Sequence, residues 1–330
     1  MASFWKHKTV FVTGATGLMG SWLVKALLHE GADVVALVRD QAPRSMLLRE
    51  GLINQIAVVN GDLESLSTMR RAIAEYQPHT VFHLAAQPLV QVAKLDPVGT
   101  LRANVTGTWN VLEACRLTAK SNVVVASSDK AYGANPTLPY LETHPLQGRY
   151  PYDVSKSCAD LITQMYAATY GLKTTIARCG NLFGGGDLNF SRTIPGVIQA
   201  TLAGERFVIR SDGMFVRDFL YVKDAAQSYL TLGERLAAPE SGDTPSIAGE
   251  AFNFGLGLRL TVLDIVAMVL RLMGRSDLEP IIQNNASAEI REQYLDASKA
   301  RKILGWEPKF NMESALEETI AWYKAELASR

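Results

Sequence analysis

The chain has 330 residues, 48% hydrophobic and 20% charged, a size and balance that suit one large core or a core with a smaller lobe attached. Lys plus Arg and Asp plus Glu both number 33, so no overall field recruits nucleic acid or an anionic membrane. The three cysteines, Cys115, Cys158 and Cys179, are scattered and lack metal-ligand or disulfide-framework spacing, which fits a reducing compartment. No apolar run reaches the roughly 18 residues of a membrane span, and Lys6-His7-Lys8 leads straight into a short strand without an apolar signal region. A cytoplasmic protein without a membrane or nucleic-acid partner is expected.

Short β-branched runs at 10–13, 34–38, 56–59, 80–84, 123–126 and 174–177 alternate with longer helix-compatible stretches. That alternation predicts an α/β fold, a doubly wound parallel sheet of Rossmann type with helices on both faces. After the first strand, Gly14-Ala15-Thr16-Gly17-Leu18-Met19-Gly20 opens a helix. Its small residues would let backbone amides approach a pyrophosphate at the positive helix end. A glycine turn of this kind can also be purely structural. The second strand ends in Val38-Arg39-Asp40. Arg39 could accept a 2′-phosphate and Asp40 a ribose hydroxyl, so NAD and NADP both remain open, and two solvated loop charges are the plain alternative. Asp62, after the third strand, could accept from an adenine amino group or simply shape a turn. His83 closes the fourth strand and reads as a hydrogen-bonded strand end rather than a catalyst.

The fifth strand runs into Ser127-Ser128-Asp129-Lys130. Ligands of open α/β sheets lie beyond the carboxyl ends of strands, so this hydroxyl, carboxylate and amine project toward a substrate. Tyr152 and Lys156 follow, four apart and hence on one face of a helix that carries Leu161, Met165 and Ala168 as an apolar stripe and stops at Gly171. An ammonium beside a phenol favours the phenolate, which would make Tyr152 a base near neutrality. The bland counterparts are an Asp129/Lys130 ion pair at a strand end and a surface Tyr152/Lys156 pair. Beyond Asn181 the elements shorten, residues 237–250 read as a loop, Thr261 and Asp264 resemble a capping box ahead of a helix over 265–273, and a last helix is predicted over 313–327. The expected division is a dinucleotide-binding domain over 1–180 and a smaller mixed α/β C-terminal substrate lobe over 181–330, with some segments returning to the first domain.

Taken together, Gly14/Gly17/Gly20, Gly61-Asp62-Leu63, His83-Leu84-Ala85-Ala86, Asn104 in Asn-Val-Thr-Gly-Thr, Ser128, Tyr152/Lys156, Arg217-Asp218-Phe219-Leu220-Tyr221-Val222 and Leu304-Gly305-Trp306-Glu307-Pro308 resemble the extended short-chain dehydrogenase/reductases that modify nucleotide sugars. Ser128-Asp129-Lys130, Gln87-Pro88-Leu89-Val90 and Gly180-Asn181-Leu182-Phe183-Gly184-Gly185-Gly186-Asp187 look like the CDP-glucose 4,6-dehydratase branch, whereas the segment at Arg217 looks like the general epimerase/dehydratase pattern. The resemblance implies NAD as cofactor, with NADP allowed by Arg39. It implies a cofactor site of Gly14, Thr16, Gly17, Leu18, Met19, Gly20, Arg39, Asp62, Leu63, Leu84, Ala85, Ala86, Tyr152 and Lys156.

The implied reaction converts an NDP-hexose to a 4-keto-6-deoxy sugar. Tyr152 takes the 4-hydroxyl proton, Ser128 bonds the developing 4-oxygen, Lys156 binds the nicotinamide ribose, Lys130 is the C5 base and Asp129 the acid at the 6-hydroxyl. Gln87, Asn181, Arg192, Arg217 and Arg291 are the implied substrate contacts; for Arg217 the alternative is an interdomain salt bridge. A homodimer is implied, packed through the helix near 105–117 and the one that begins near Ser155. Two other functions share the motifs: a 4-epimerase, which would leave Asp129 and Lys130 without a proton to move, and a non-catalytic dinucleotide-binding regulator, which would be expected to lose the hydroxyl or the Tyr/Lys pair that this chain keeps.

Overall fold

The computed structural model describes residues 3–40, 42–118, 121–239, 245–285 and 290–328. In the first half of the chain, strands β1 Thr9–Thr13, β2 Asp33–Val38, β3 Ala57–Asn60, β4 Thr80–His83, β5 Asn122–Ala126 and β6 Thr174–Cys179 alternate with helices α1 Leu18–His29, α2 Met46–Arg49, α3 Leu66–Tyr76, α4 Val90–Leu95, α5 Pro97–Leu101, α6 Gly107–Thr118 and α7 Pro151–Tyr170. The second half holds β7 Asn181–Phe183, α8 Thr193–Leu202, β8 Val208–Ile209, β9 Val216–Arg217, β10 Phe219–Tyr221, α9 Val222–Ala237, β11 Ala251–Phe254, β12 Leu260–Thr261, α10 Val262–Leu272, β13 Ile281–Ile282, β14 Glu292–Gln293, α11 Ser298–Leu304 and α12 Met312–Ala328.

One seven-stranded sheet organises these elements, in the order β11-β6-β5-β4-β1-β2-β3, and every pairing in it is parallel. The six strands expected from the sequence are all present. The seventh, β11, was not expected; it arrives from the second half of the chain and pairs with β6. Part of the loop expected before it, 240–244, lies outside the described residues.

Alternation along the strands sorts side chains to the two faces. Val10 and Val12 of β1, Val34 and Ala36 of β2, Phe82 of β4 and Val124 of β5 pack with Leu23, Val24 and Leu27 of α1 and Tyr229 and Leu232 of α9. Phe11, Val35, Val81, Val123 and Val125 face the other way, onto Met69, Ala72 and Ile73 of α3 and Val111, Leu112 and Cys115 of α6. Both faces are covered, which is why these strands read as continuous apolar runs; each large side chain buried there contributes about 1.5–3 kcal/mol.

Helix α7 turns its apolar stripe outward. Its C-terminus is as predicted, with Gly171 in the left-handed region at φ 63°. Leu161 and Met165, however, are 53% and 42% exposed, and the buried face carries Ser155, Lys156, Ala159, Asp160, Thr163 and Tyr166. The reason is a buried ion pair: Asp160 receives both Nε and Nη2 of Arg178 on β6, at 2.8 and 2.9 Å, so the polar side of the helix must face inward. In the smaller lobe the capping box is present, with Thr261 Oγ1 accepting from Asp264 N at 3.1 Å and Thr261 N donating to Asp264. Leu316, Ile320 and Tyr323 of α12 are buried as their spacing predicts. No helix among the described residues is long and apolar enough to cross a membrane.

At the carboxyl ends of β1 and β4, hydrogen-bond bookkeeping decides the state of His83. Thr13 Oγ1 already accepts from the amides of Leu84 and Ala85, so it donates to His83 Nδ1 at 2.8 Å. Nε2 then carries the proton and donates to Thr108 Oγ1 at 3.0 Å, whose own hydroxyl donates to the Asn104 carbonyl. A charged ring would turn Nδ1 into a third donor against Thr13 Oγ1. Burial, then the nearby Lys156 ammonium, push its pKa down to about 3. The stability carried by the neutral ring is therefore complete above 6.5, the ordinary value, and is lost as pH falls toward about 3. In His83→Asn, the pH dependence of the unfolding free energy below 6.5 should flatten by about 1.4 kcal/mol per pH unit, measured by urea unfolding across that range; an unchanged slope would place the acid sensitivity elsewhere.

Candidate active site

A cleft of about 1420 Å³ runs over the carboxyl ends of β1, β4 and β5 and under the smaller lobe. Its nucleotide end is built by glycine geometry. Gly14 sits at φ 74°, and a Cβ there would lie 2.6 Å from the Ala85 amide nitrogen; a Cβ on Gly20 would lie 2.0 Å from the Gly14 carbonyl oxygen. These contacts hold the β1 turn, the β4 turn and α1 closer than any side chain allows. Gly17 is the N-cap of α1, without a side-chain cap and without an acidic residue in the first turn, so the helix end suits a pyrophosphate. Thr16, Leu18, Met19, Leu63, Leu84, Ala85 and Ala86 line the same stretch, as does Asp62, whose Oδ1 accepts from the Glu64 amide at 3.0 Å.

Arg39 lines the rim, its Nε bonded to Asp40 Oδ2 at 2.6 Å, with Asp62 and Glu64 adding further negative charge around it. Three carboxylates about one guanidinium oppose a 2′-phosphate dianion and favour a ribose diol. The residues present thus fit NAD.

The chemical end centres on the turn after β5. Ser128 caps the 3₁₀ turn Asp129–Tyr132 by accepting from the Lys130 amide, and its hydroxyl donates to Asp129 Oδ1 at 2.9 Å. Asp129 is 2% exposed, and its other oxygen, Oδ2, has no partner among the described residues. A buried carboxylate oxygen left open in a cleft is the place for a substrate hydroxyl. Tyr152 and Lys156 of α7 reach the same space. Asn104 steadies this arrangement: Oδ1 accepts from the Gln87 amide at 2.6 Å and Nδ2 donates to Ser155 Oγ at 2.8 Å, tying the turn after β4 to α7.

The electrostatics differ from expectation in one respect. Burial, then Asp129, push the Tyr152 phenol up to about 12, against Arg192 and Ser128, which pull it down. Lys156 is not the cation acting on it; its Nζ donates to the Ala126 carbonyl at 2.9 Å, and burial lowers its pKa to about 8. In the protein alone, then, the lysine is spent on the strand end and the phenol is protonated.

Among the implied substrate contacts, Gln87, Asn181, Arg192 and Arg217 line the cleft. Asn181 Nδ2 donates to the Asp218 carbonyl at 3.2 Å, and Arg192 Nη1 meets Asp187 Oδ2 at 3.1 Å. Arg217 lies over the Phe215 ring and bonds the carbonyls of Val216 and Arg291. Arg291 does not line the cleft; its guanidinium pairs with Asp212 at 3.3 Å and its contribution to Arg217 is a backbone oxygen. Two further residues were not singled out from the sequence. Asp153 is buried beside the turn, its carboxyl raised to about 6 by burial, with Lys130 opposing the rise and Asp129 adding to it. Gln293 of β14 is fully buried and accepts from Lys130 Nζ. Asp153, between Tyr152 and Lys156, could have been noticed as a carboxylate on the helix's first turn; Gln293 carries no sequence signal.

Comparison with known proteins agrees with this geometry. Residues 10–253 match the model of the NAD dependent epimerase/dehydratase family. CDP-glucose 4,6-dehydratase of Salmonella typhimurium is 31% identical over 98% of this chain and 92% of its own. The structure of UDP-glucose 4-epimerase from Thermotoga maritima with UDP-glucose superposes with a TM-score of 0.87, at 28% identity, covering 97% of this chain and 99% of that one. That of dTDP-glucose 4,6-dehydratase from Bacillus anthracis in complex with NAD gives 0.84 at 25% identity, covering 96% and 97%. With a glycine cradle that fits NAD, a family match across most of its length and relatives that modify nucleotide sugars, the chain belongs to the NAD dependent epimerase/dehydratase family of enzymes.

Proposed function

We propose that this enzyme is a nucleotide-sugar 4,6-dehydratase that converts a CDP-glucose-like NDP-hexose to its 4-keto-6-deoxy derivative. The observation that carries the reading is the turn after β5, where a hydroxyl, a buried carboxylate with an open oxygen and an amine follow one another opposite Tyr152. An enzyme that only oxidises and reduces C4 needs the hydroxyl and the phenol. The carboxylate and the amine have work only if a second proton and a leaving group are handled.

In this reading Tyr152 takes the proton of the 4-hydroxyl as C4 is oxidised, and Ser128 donates to the developing oxygen. Bound NAD supplies reversible storage for two electrons and a hydrogen, so no outside reductant is consumed. The C4 ketone acidifies the C5 proton, which passes to Lys130; the C6–O bond breaks, its oxygen leaves as water with a proton from Asp129, and the C5–C6 double bond is then reduced, C6 receiving the hydrogen and electron pair taken from C4 while Lys130 returns its proton to C5. Asn181, Arg192 and Arg217 hold the substrate diphosphate, the planar fork of Arg217 being suited to two oxygens at once. Lys156 orients the nicotinamide ribose.

The 4-epimerase reading keeps one observation in its favour, the close superposition on UDP-glucose 4-epimerase. Mass spectrometry of the purified protein with CDP-, dTDP- and UDP-glucose, without added reductant, separates the two. Loss of one water from one of these sugars is expected; unchanged mass with inverted C4 would make the enzyme an epimerase. Lys130→Met should slow water loss by about 10²–10⁴-fold while reduced nicotinamide still forms on mixing with substrate. An epimerase would tolerate that change.

We also infer a homodimer in the cytoplasm. The support is the outward stripe of α6 and α7, where Trp109 (43% exposed), Leu117, Leu161 and Met165 leave apolar surface uncovered. All three cysteines are free, as a reducing compartment requires. Leu161→Glu combined with Met165→Glu should convert the dimer to monomer in sedimentation velocity, whereas a wild-type monomer would refute the interface.

A further inference from the structure

Lys130 reaches from its turn toward the smaller lobe, where Nζ donates to Oε1 of Gln293. The amide orientation is fixed by this contact, because its other end is a donor and two donors cannot face each other. Gln293 is held from both strand directions. It pairs in parallel register with Arg217, and its carbonyl accepts from the Asp218 amide at 3.0 Å. It is fully buried, and its side chain also bonds the Tyr140 phenol, pulling that group's pKa down against burial. A carboxylate would grip a lysine more strongly than an amide does. It would also hold the lysine as an ammonium, because an adjacent negative charge favours the charged form.

We propose that Gln293 is a positioning residue for the elimination half of the reaction, a neutral acceptor on the smaller lobe that holds the Lys130 amine in the cleft without fixing its charge. The inference rests on the dehydratase reading above. In the step it serves, the C5–H bond breaks, its proton goes to Lys130 Nζ and its electron pair becomes the C4–C5 enolate. Collapse of the enolate forms the C5–C6 double bond as the C6 oxygen leaves with the Asp129 proton. Nζ must be uncharged at the start, so what surrounds it matters. Asp129 adjoins it in the same turn, Asp153 faces it from α7, and Tyr140 and Arg217 stand near Gln293. Among the described residues Asp129 and Asp153 already lie close to this lysine, and a further carboxylate at position 293 would hold the proton on it. Gln293 supplies the hydrogen bond that a carboxylate would supply, without that penalty.

The test compares wild type, Gln293→Glu and Gln293→Met with CDP-, dTDP- and UDP-glucose in deuterium oxide. Three quantities are followed: deuterium entering C5, the absorbance of reduced nicotinamide in a single turnover, and folding by circular dichroism. Gln293→Glu should still form reduced nicotinamide, exchange C5 hydrogen roughly 10²-fold more slowly near neutrality, and recover as pH rises, since the new carboxylate moves Lys130 deprotonation upward. Gln293→Met, close in size and without an acceptor, should lose exchange rate through kcat with KM held and show no such recovery. A folded Gln293→Glu with wild-type exchange and an unchanged pH profile overturns the inference, as does an identical profile for both variants. Should Gln293→Glu not fold, Gln293→Met decides, and a wild-type kcat for exchange overturns the proposal. Wild type that neither loses water nor exchanges C5 hydrogen with any of the three sugars overturns the dehydratase reading itself; normal wild-type exchange with indifferent variants removes only the role of Gln293.

Discussion

The side of the cleft contributed by the second half of the chain hangs on one buried carboxylate. Asp218 accepts from the amides of Leu256 and Gly257 through Oδ1, and from Gly257 and Leu295 through Oδ2, at 3.0 to 3.2 Å. Its own backbone bonds Gln293 and Asn181. A Cβ on Gly255 would stand 2.2 Å from Oδ2, so the chain can pass there only as glycine. Segments at Asn181, Leu256–Gly257 and Gln293–Leu295 are thereby brought to the strand that carries Arg217. Burial pushes this carboxyl up to about 7, against the amides that pull it down. All of its partners donate, so a proton on either oxygen would find no acceptor and would take the place of one of them. The ionised form is the one that the structure is built around.

A second constraint acts from behind the chemical turn. Tyr132, at its end, donates to Asn253 at 2.7 Å and accepts from Arg178 at 2.9 Å, while Arg178 is clamped by Asp160. The turn is thus fixed to β6, β11 and α7 at once. A buried ion pair of this kind contributes little net stability against an apolar replacement, and what it supplies instead is a single orientation for the turn. Asp129 and Lys130 inherit that orientation. The rigidity of the site therefore comes from charged and polar groups, while the sheet's stability comes from the apolar layers on its faces.

Much of this was legible in the residues. Apolar runs of strand length, a glycine turn between the first strand and the first helix, and the alternation that follows were enough to lay out the six strands, to place Ser128, Asp129 and Lys130 at the carboxyl end of one of them, and to put Tyr152 and Lys156 on one face of a helix. Helix α7 shows the limit. Leu161 and Met165 do form an apolar stripe, but periodicity reports only that a stripe exists, not which side is solvent; the Asp160–Arg178 pair decides it by turning the polar side inward. The strand Ala251-Phe252-Asn253-Phe254 is short and mixed, and its place in the sheet is set by pairing with β6, a long-range fact. The i,i+4 spacing of Tyr152 and Lys156 likewise says nothing of where the ammonium is held, which is the Ala126 carbonyl at the end of β5. Gln293 escaped notice because a lone glutamine announces nothing until Lys130 is seen to reach it.

The position of β11 has a consequence for how the chain comes to be folded. Strand β6 is complete by residue 179, yet the strand that covers its outer edge begins only at residue 251. During synthesis, at about 5–20 residues per second, that edge stands open for several seconds while α8, α9 and the intervening loops emerge. An unpaired parallel edge rich in buried Thr, Ile and Ala is a template for the wrong neighbour, in this case the same strand of another nascent chain. The sheet therefore closes late in synthesis, after most of the second half of the chain has been made.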